Sequence, residues 1–119
     1  MSLNVVTVTI QIDQAPGDPI FPEGTFIFSP CGLMWPDLSS NPIVPVLIHG
    51  FLSTAGYASA SLVASDNFTT GVLNWDVILN VQGLPTINFA NMAVNFATGA
   101  TQNLFTILQT SGWIPQAKP

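Results

Sequence analysis

The sequence predicts an all-β domain: a sandwich of about six to eight short antiparallel strands, closed by one short C-terminal helix. Three observations carry this prediction. Apolar and polar residues alternate with period two in several windows. Clusters of Pro, Gly, Ser and Asn separate those windows. Long amphipathic helices alternating with strands, the mark of an α/β fold, are absent.

The elements follow in order. Residues 5–12 read VVTVTIQI, with Val6, Val8, Ile10 and Ile12 on one face and Val5, Thr7, Thr9 and Gln11 on the other. Residues 13–23 hold Pro16, Gly17, Asp18, Pro19 and Pro22, which is turn chemistry. Thr25 to Ser29 forms a second strand, with Phe26 and Phe28 in phase. Pro30 to Pro42 carries too many prolines and serines for a regular element and reads as a long loop; its Leu33, Met34 and Trp35 are apolar for a solvated segment.

Ile43 to Leu52 is a third strand, with Pro45 placing it at an edge or a bulge. Ser53-Thr54-Ala55-Gly56 turns the chain into a fourth strand, Tyr57 to Ala64, and the two strands read as a hairpin. After the loop 65–71, a fifth strand runs from Val72 to Gln82, with Leu73, Trp75, Val77, Leu79 and Val81 on its core face. Thr86 to Phe96 changes phase near Ala90-Asn91. That change marks a bulge or a turn, and a helix through Phe89, Met92, Ala93 and Phe96 competes with it. Thr101 to Thr110 reads as a short helix with Thr101 as N-cap, Leu104, Ile107 and Leu108 on one face and Gly112 as the stop. Strands of this number and spacing suit an Ig-like or prealbumin-like sandwich spanning residues 4–113, with 114–119 as a loose tail.

Composition excludes several functions. Among 119 residues there is one basic side chain, Lys118, and no arginine; six carboxylates and His49 complete the titratable set, apart from Cys31 and Tyr57. A nucleic-acid binder needs cations for phosphate, and a phosphoryl-transfer site needs cationic clamps. Cys31 has no partner for an intrachain bridge and no basic neighbour to activate it, so it reads as a small buried or half-buried side chain. One His and one Cys make no metal set, and no cofactor is implied. Asp13 and Asp18 share a loop that offers a weak calcium option beside the plainer reading as turn residues. Asn67-Phe68-Thr69 matches a glycosylation sequon, which has meaning only in a secretory context. The first residues show no signal-peptide pattern. The apolar window 43–64 is interrupted by Pro, His, Gly and Ser and lacks basic flanks, so no membrane span is expected.

The string Pro45-Val46-Leu47-Ile48-His49-Gly50-Phe51 is similar to the oxyanion-hole strand of α/β-hydrolases. The nucleophile elbow and a second histidine are missing, so the expectation is that the chain is not an enzyme. Trp75 is in phase with the core, whereas Trp35 and Trp113 are free to anchor a contact or to stack on a sugar. Charged residues make up 6% of the chain, against about a quarter or more on a typical soluble surface. The surface is therefore built from Ser, Thr, Asn and Gln or covered by another chain.

The order of short motifs adds a resemblance. Val6-Thr7-Val8-Thr9 is followed by Gly24-Thr25-Phe26-Ile27-Phe28-Ser29-Pro30, then Pro42-Ile43-Val44-Pro45-Val46, Leu62-Val63-Ala64-Ser65-Asp66, Thr70-Gly71 and a strand around Trp75. Over most of residues 5–110 this resembles the small β-sandwich modules of minor tail and tail-fibre proteins in phages and prophages of actinobacteria. Those modules carry more charge and an arginine near the position of Gln82, which this chain lacks. The resemblance implies a non-catalytic virion component that serves tail or fibre assembly or host-surface attachment. Its expected partners are copies of itself, with a trimer suggested by fibres, or other tail proteins. The alternative is a carbohydrate-binding sandwich that takes a cell-surface glycan. Leu33, Met34, Trp35 and Trp113 are the expected interaction surface.

Overall fold

A computed structural model of the chain describes residues 3–13, 23–32, 41, 45–67 and 73–115. It is an all-β sandwich of two sheets with one short helix. The strands are β1 (Val5–Gln11), β2 (Gly24–Cys31), β3 (Ile48–Phe51), β4 (Tyr57–Val63), β5 (Asn74–Val81), β6 (Ile87–Met92) and β7 (Thr101–Asn103), followed by α1 (Leu104–Thr110). One sheet has the order β4-β1-β7 and the other β3-β2-β5-β6.

Period-two patterning decides which faces meet. Val6, Val8 and Ile10 of β1, Phe26 and Phe28 of β2, Ala58, Ala60 and Leu62 of β4, and Trp75, Val77 and Leu79 of β5 are all buried in one core. Their neighbours along each strand face outward. Trp75 is fully buried, and its indole N–H donates to the Val63 carbonyl at 3.0 Å. The bond runs from β5 to β4 and so ties one sheet to the other. It also satisfies the one polar atom that makes a buried tryptophan costly.

Several expectations are corrected. The third and fourth strands do not form a hairpin: β3 pairs with β2 and β4 pairs with β1. The turn between them is a corner that carries the chain from one sheet to the other. Leu52 N–H still bonds Gly24 C=O, while Ile12 N–H already bonds Gly56 C=O, each at 2.9 Å. The third strand is shorter than expected, with residues 45–47 outside it. The second is longer, since Pro30 and Cys31 belong to β2 opposite Trp75 and Asn74. Pro30 lies beyond the last β2–β3 pair, Phe28 with Ile48, where a residue without an N–H is tolerated.

The phase change in β6 is a bulge, not a helix. The register steps from Val77 opposite Phe89 to Trp75 opposite Met92, leaving one extra residue on β6. Asn91 takes it up with φ of 61°. The pairing is also not wholly antiparallel, because β7 runs parallel to β1. Thr101 lies in that strand, so the helix cap is Asn103, whose Oδ1 accepts from Phe105 N–H at 2.9 Å and Thr106 N–H at 3.4 Å. Leu104, Ile107 and Leu108 are buried on the expected face.

Gly112 stops the helix as expected. Its φ is 107°, its N–H bonds Gln109 C=O, and the next N–H, of Trp113, reaches back to Leu108 C=O at 2.9 Å. That pair of bonds is a Schellman closure, which needs a residue tolerant of positive φ.

Candidate interaction surface

The expected contact residues divide. Leu33, Met34 and Trp35 lie outside the described residues. Trp113 is half-buried and packs on the core, with its ring 6.4 Å from that of Phe105 in a tilted arrangement. The helix stop explains this position: the Schellman turn folds the residue after Gly112 back over the helix, where an apolar side chain covers it.

The titratable groups are spread out. Asp13 and Glu23 are exposed, and Asp18 lies outside the described residues. Asp66 Oδ1 accepts from Phe96 N–H at 2.8 Å and Oδ2 from Ala97 N–H at 3.0 Å, holding the 3-10 turn Phe96–Thr98. Asp76 Oδ1 accepts from Asn91 N–H at 3.0 Å, on the bulge. Cys31 is half-buried, and its thiol donates to Asn91 Oδ1 at 3.1 Å. Among the described residues no cluster of three or more His, Cys, Asp or Glu can hold a metal. No helix among them is long and apolar enough to cross a membrane.

The His49-Gly50 pair has a packing reason. Gly50 sits opposite Phe26, and a Cβ on Gly50 would come within 2.7 Å of the Phe26 ring. The glycine is the space into which that core ring fits. His49 points the other way and is exposed on the outer face of β3.

The most prominent apolar exposure lies beside that histidine. Val46 is 78% exposed, Phe51 76% and Leu47 48%, while Tyr57, across the Ser53–Gly56 corner, is 44% exposed. The corner is rigidly built. Ser53 N–H donates to Tyr57 C=O, Gly56 N–H donates to Ser53 C=O, and Ser53 Oγ accepts from Ala55 and Tyr57 N–H. β3 and β4 thus lie on one side of the sandwich, each at the edge of its own sheet. The whole stretch 38–65 contains no Asp, Glu, Lys or Arg. Sequence reasoning passed over Val46, Leu47 and Phe51 because it placed them within a paired strand. The signal was the phase of Phe51, which shares its face with His49.

A second feature is a cleft of about 410 Å³ between β7, α1 and the 3-10 turn at Phe96. Ala93 and Ile107 give it an apolar part, Asn95, Thr98, Thr101 and Thr106 are among its polar lining, and no charged side chain reaches it.

Compared with known proteins, the chain matches no protein-family model, no curated protein and no solved structure. The functional reading therefore rests on this surface and on the motif order.

Proposed function

We propose that this protein is a non-catalytic structural and interaction module, working as a component of a phage-type tail or fibre in assembly or host-surface attachment. The observation that carries the contact role is the exposure of Val46, Leu47 and Phe51 in an uncharged stretch that leads to the corner before β4. Large apolar side chains left exposed in and just before an edge strand, within an uncharged stretch, are what a contact surface offers. The short motifs 24–30 and 62–66, in their order around the Trp75 strand, support the tail-module reading.

The test is physical association. Particles released from cells carrying the gene are purified and analysed by mass spectrometry. The chain is expected in the particle fraction at a fixed ratio to other tail proteins. Its absence from purified particles overturns the tail reading.

The cleft favours a second reading, a glycan-binding module. Uncharged Thr and Asn side chains beside the apolar Ala93 and Ile107 suit a neutral ligand with both hydroxyls and apolar faces, such as a sugar ring, and the volume lies in the usual range for ligand sites. Trp113 does not line the cleft, so an aromatic platform from that residue is not part of this reading. Calorimetric titration with a panel of neutral glycans tests it: binding lost in Thr98→Val supports the cleft, and silence across the panel sinks it.

A further inference from the structure

Four strands end the two sheets: β3 and β6 in one, β4 and β7 in the other. An open strand edge is a template for another strand, and folded proteins usually blunt it. β7 is three residues long and runs straight into α1. β6 is interrupted by the bulge at Asn91. β3 has four residues, one of them Gly50, and glycine weakens a strand. β4 has no such device. Its seven residues, YASASLV, include no Pro, Gly, charge or bulge.

Hydrogen bonds fix which of its backbone groups face out. Gly56 C=O accepts from Ile12 N–H, and Ala64 N–H donates to Asn4 C=O. With the unbroken β1–β4 register and the alternation of antiparallel pairs, Ala58, Ala60 and Leu62 direct their backbone groups to β1. Tyr57, Ser59, Ser61 and Val63 direct theirs away. The two ends of this outward row are already occupied. Ser53 binds both backbone groups of Tyr57, and the Trp75 indole binds Val63 C=O. Among the described residues, what stays open in the middle is the N–H and C=O of Ser59 and of Ser61, both exposed, with the Val63 N–H beside them.

We propose that this opening receives β4 of a second copy of the chain. The two strands run antiparallel about a two-fold axis at Ala60 and join the sheets into one, β7-β1-β4-β4-β1-β7. In that register Ser59 of each copy lies opposite Ser61 of the other. Their N–H and C=O groups exchange directly, so every open group of both serines is used. The ladder ends at these two pairs, because Tyr57 and Val63, which face each other beyond them, are already occupied; a register centred on Ser59 or Ser61 sets one serine opposite an occupied residue and uses fewer of the open groups. On the core side Ala60 meets Ala60 and Ala58 meets Leu62, which bring no bulk together. On the outer side serine meets serine, and no like charges are opposed. A self-complementary strand on a two-fold axis is the isologous contact that closes a dimer. This inference names the partner for the contact role proposed above, and its tests separate the two.

Sedimentation velocity over a concentration series measures the mass against the 12.6 kDa protomer. The wild type is expected to double in mass. Ser61→Pro removes an outward N–H at an edge position where proline is compatible with the fold. It is expected to leave the circular dichroism spectrum unchanged and to weaken association by about tenfold or more. A charge pair guards against misfolding as the cause. The double variant Ser59→Lys with Ser61→Lys, and the one with Ser59→Asp and Ser61→Asp, are each expected to be monomeric. An equal mixture of the two is expected to form a mixed dimer in native mass spectrometry, because Lys then faces Asp. A wild-type dimer that survives Ser61→Pro, or a mixture that stays monomeric, overturns the β4 register while leaving the particle-association reading intact. A wild type that stays monomeric at every concentration also overturns the proposal, and the particle experiment then decides the functional reading alone.

Discussion

Asn103 and Gly112 bound the only α-helix among the described residues, and each acts through one local property. Asn103→Ala removes the acceptor for Phe105 and Thr106 N–H and should lower stability by about 1 kcal/mol, read as a fall in the urea midpoint at constant slope. Gly112→Ala isolates a conformational cost. A Cβ there meets nothing within 4 Å, so the loss comes from the positive φ alone and is expected at about 1 kcal/mol. If the alanine variant is as stable as wild type, the Schellman turn is not contributing to stability. At this scale much was legible. Trp75 announced its burial by alternating with Leu73 and Val77, and Gly112 announced a helix stop. Asn103 was overlooked because Thr101 is also an acceptable cap by residue type, although asparagine is the stronger one. Only the short pairing of residues 101–103 with β1 settles where extended backbone ends.

The bulge in β6 and the corner at Ser53–Gly56 show what can and cannot be read at the level of an element. The bulge was legible, because an extra residue shifts the apolar phase and the sequence records the shift at Ala90-Asn91. Asn91 suits its φ of 61°, and it accepts from the Cys31 thiol while its N–H binds Asp76. Asn91→Gly keeps the backbone conformation and should cost little. Asn91→Val puts a β-branched residue at positive φ and should cost about 1 to 2 kcal/mol, measured by thermal melting. Equal melting temperatures for the two variants would count against a strained bulge. The corner was misread as a hairpin because its length and composition suit either use. A strand's pattern states which face is buried but not which neighbour it joins, since β3 and β4 carry nothing that distinguishes pairing with each other from pairing with β2 and β1. Partner choice is a property of the whole sandwich.

Across the whole molecule the scarcity of charge gives the surface its character. Asp66 and Asp76 serve backbone N–H groups, and β3, β4 and the turn between them carry no formal charge. Association through that side should not depend on ionic attraction. Raising the salt from about 0.15 M to about 1 M, which shortens the screening length severalfold, is expected to leave the proposed dimer intact. Phe51→Ser should leave stability nearly unchanged, because the ring is 76% exposed, and should raise solubility at high protein concentration. Dissociation on adding salt would point to an ionic contact elsewhere on the molecule.

The parallel β1–β7 pair sets a timetable for folding. The first strand of the chain finds one of its two neighbours only among residues 101–103, nearly the last described part of the sequence. During synthesis β1 can pair with β4 and still present a bare edge on its other side until those residues leave the ribosome. The helix that follows β7 contributes Leu104, Ile107 and Leu108 to the same core. Core closure is therefore a late event governed by long-range contacts, which folding kinetics associates with slow rates. A ribosome stalled before Thr101 holds a chain with a sticky strand, and the cell meets that exposure each time the protein is made.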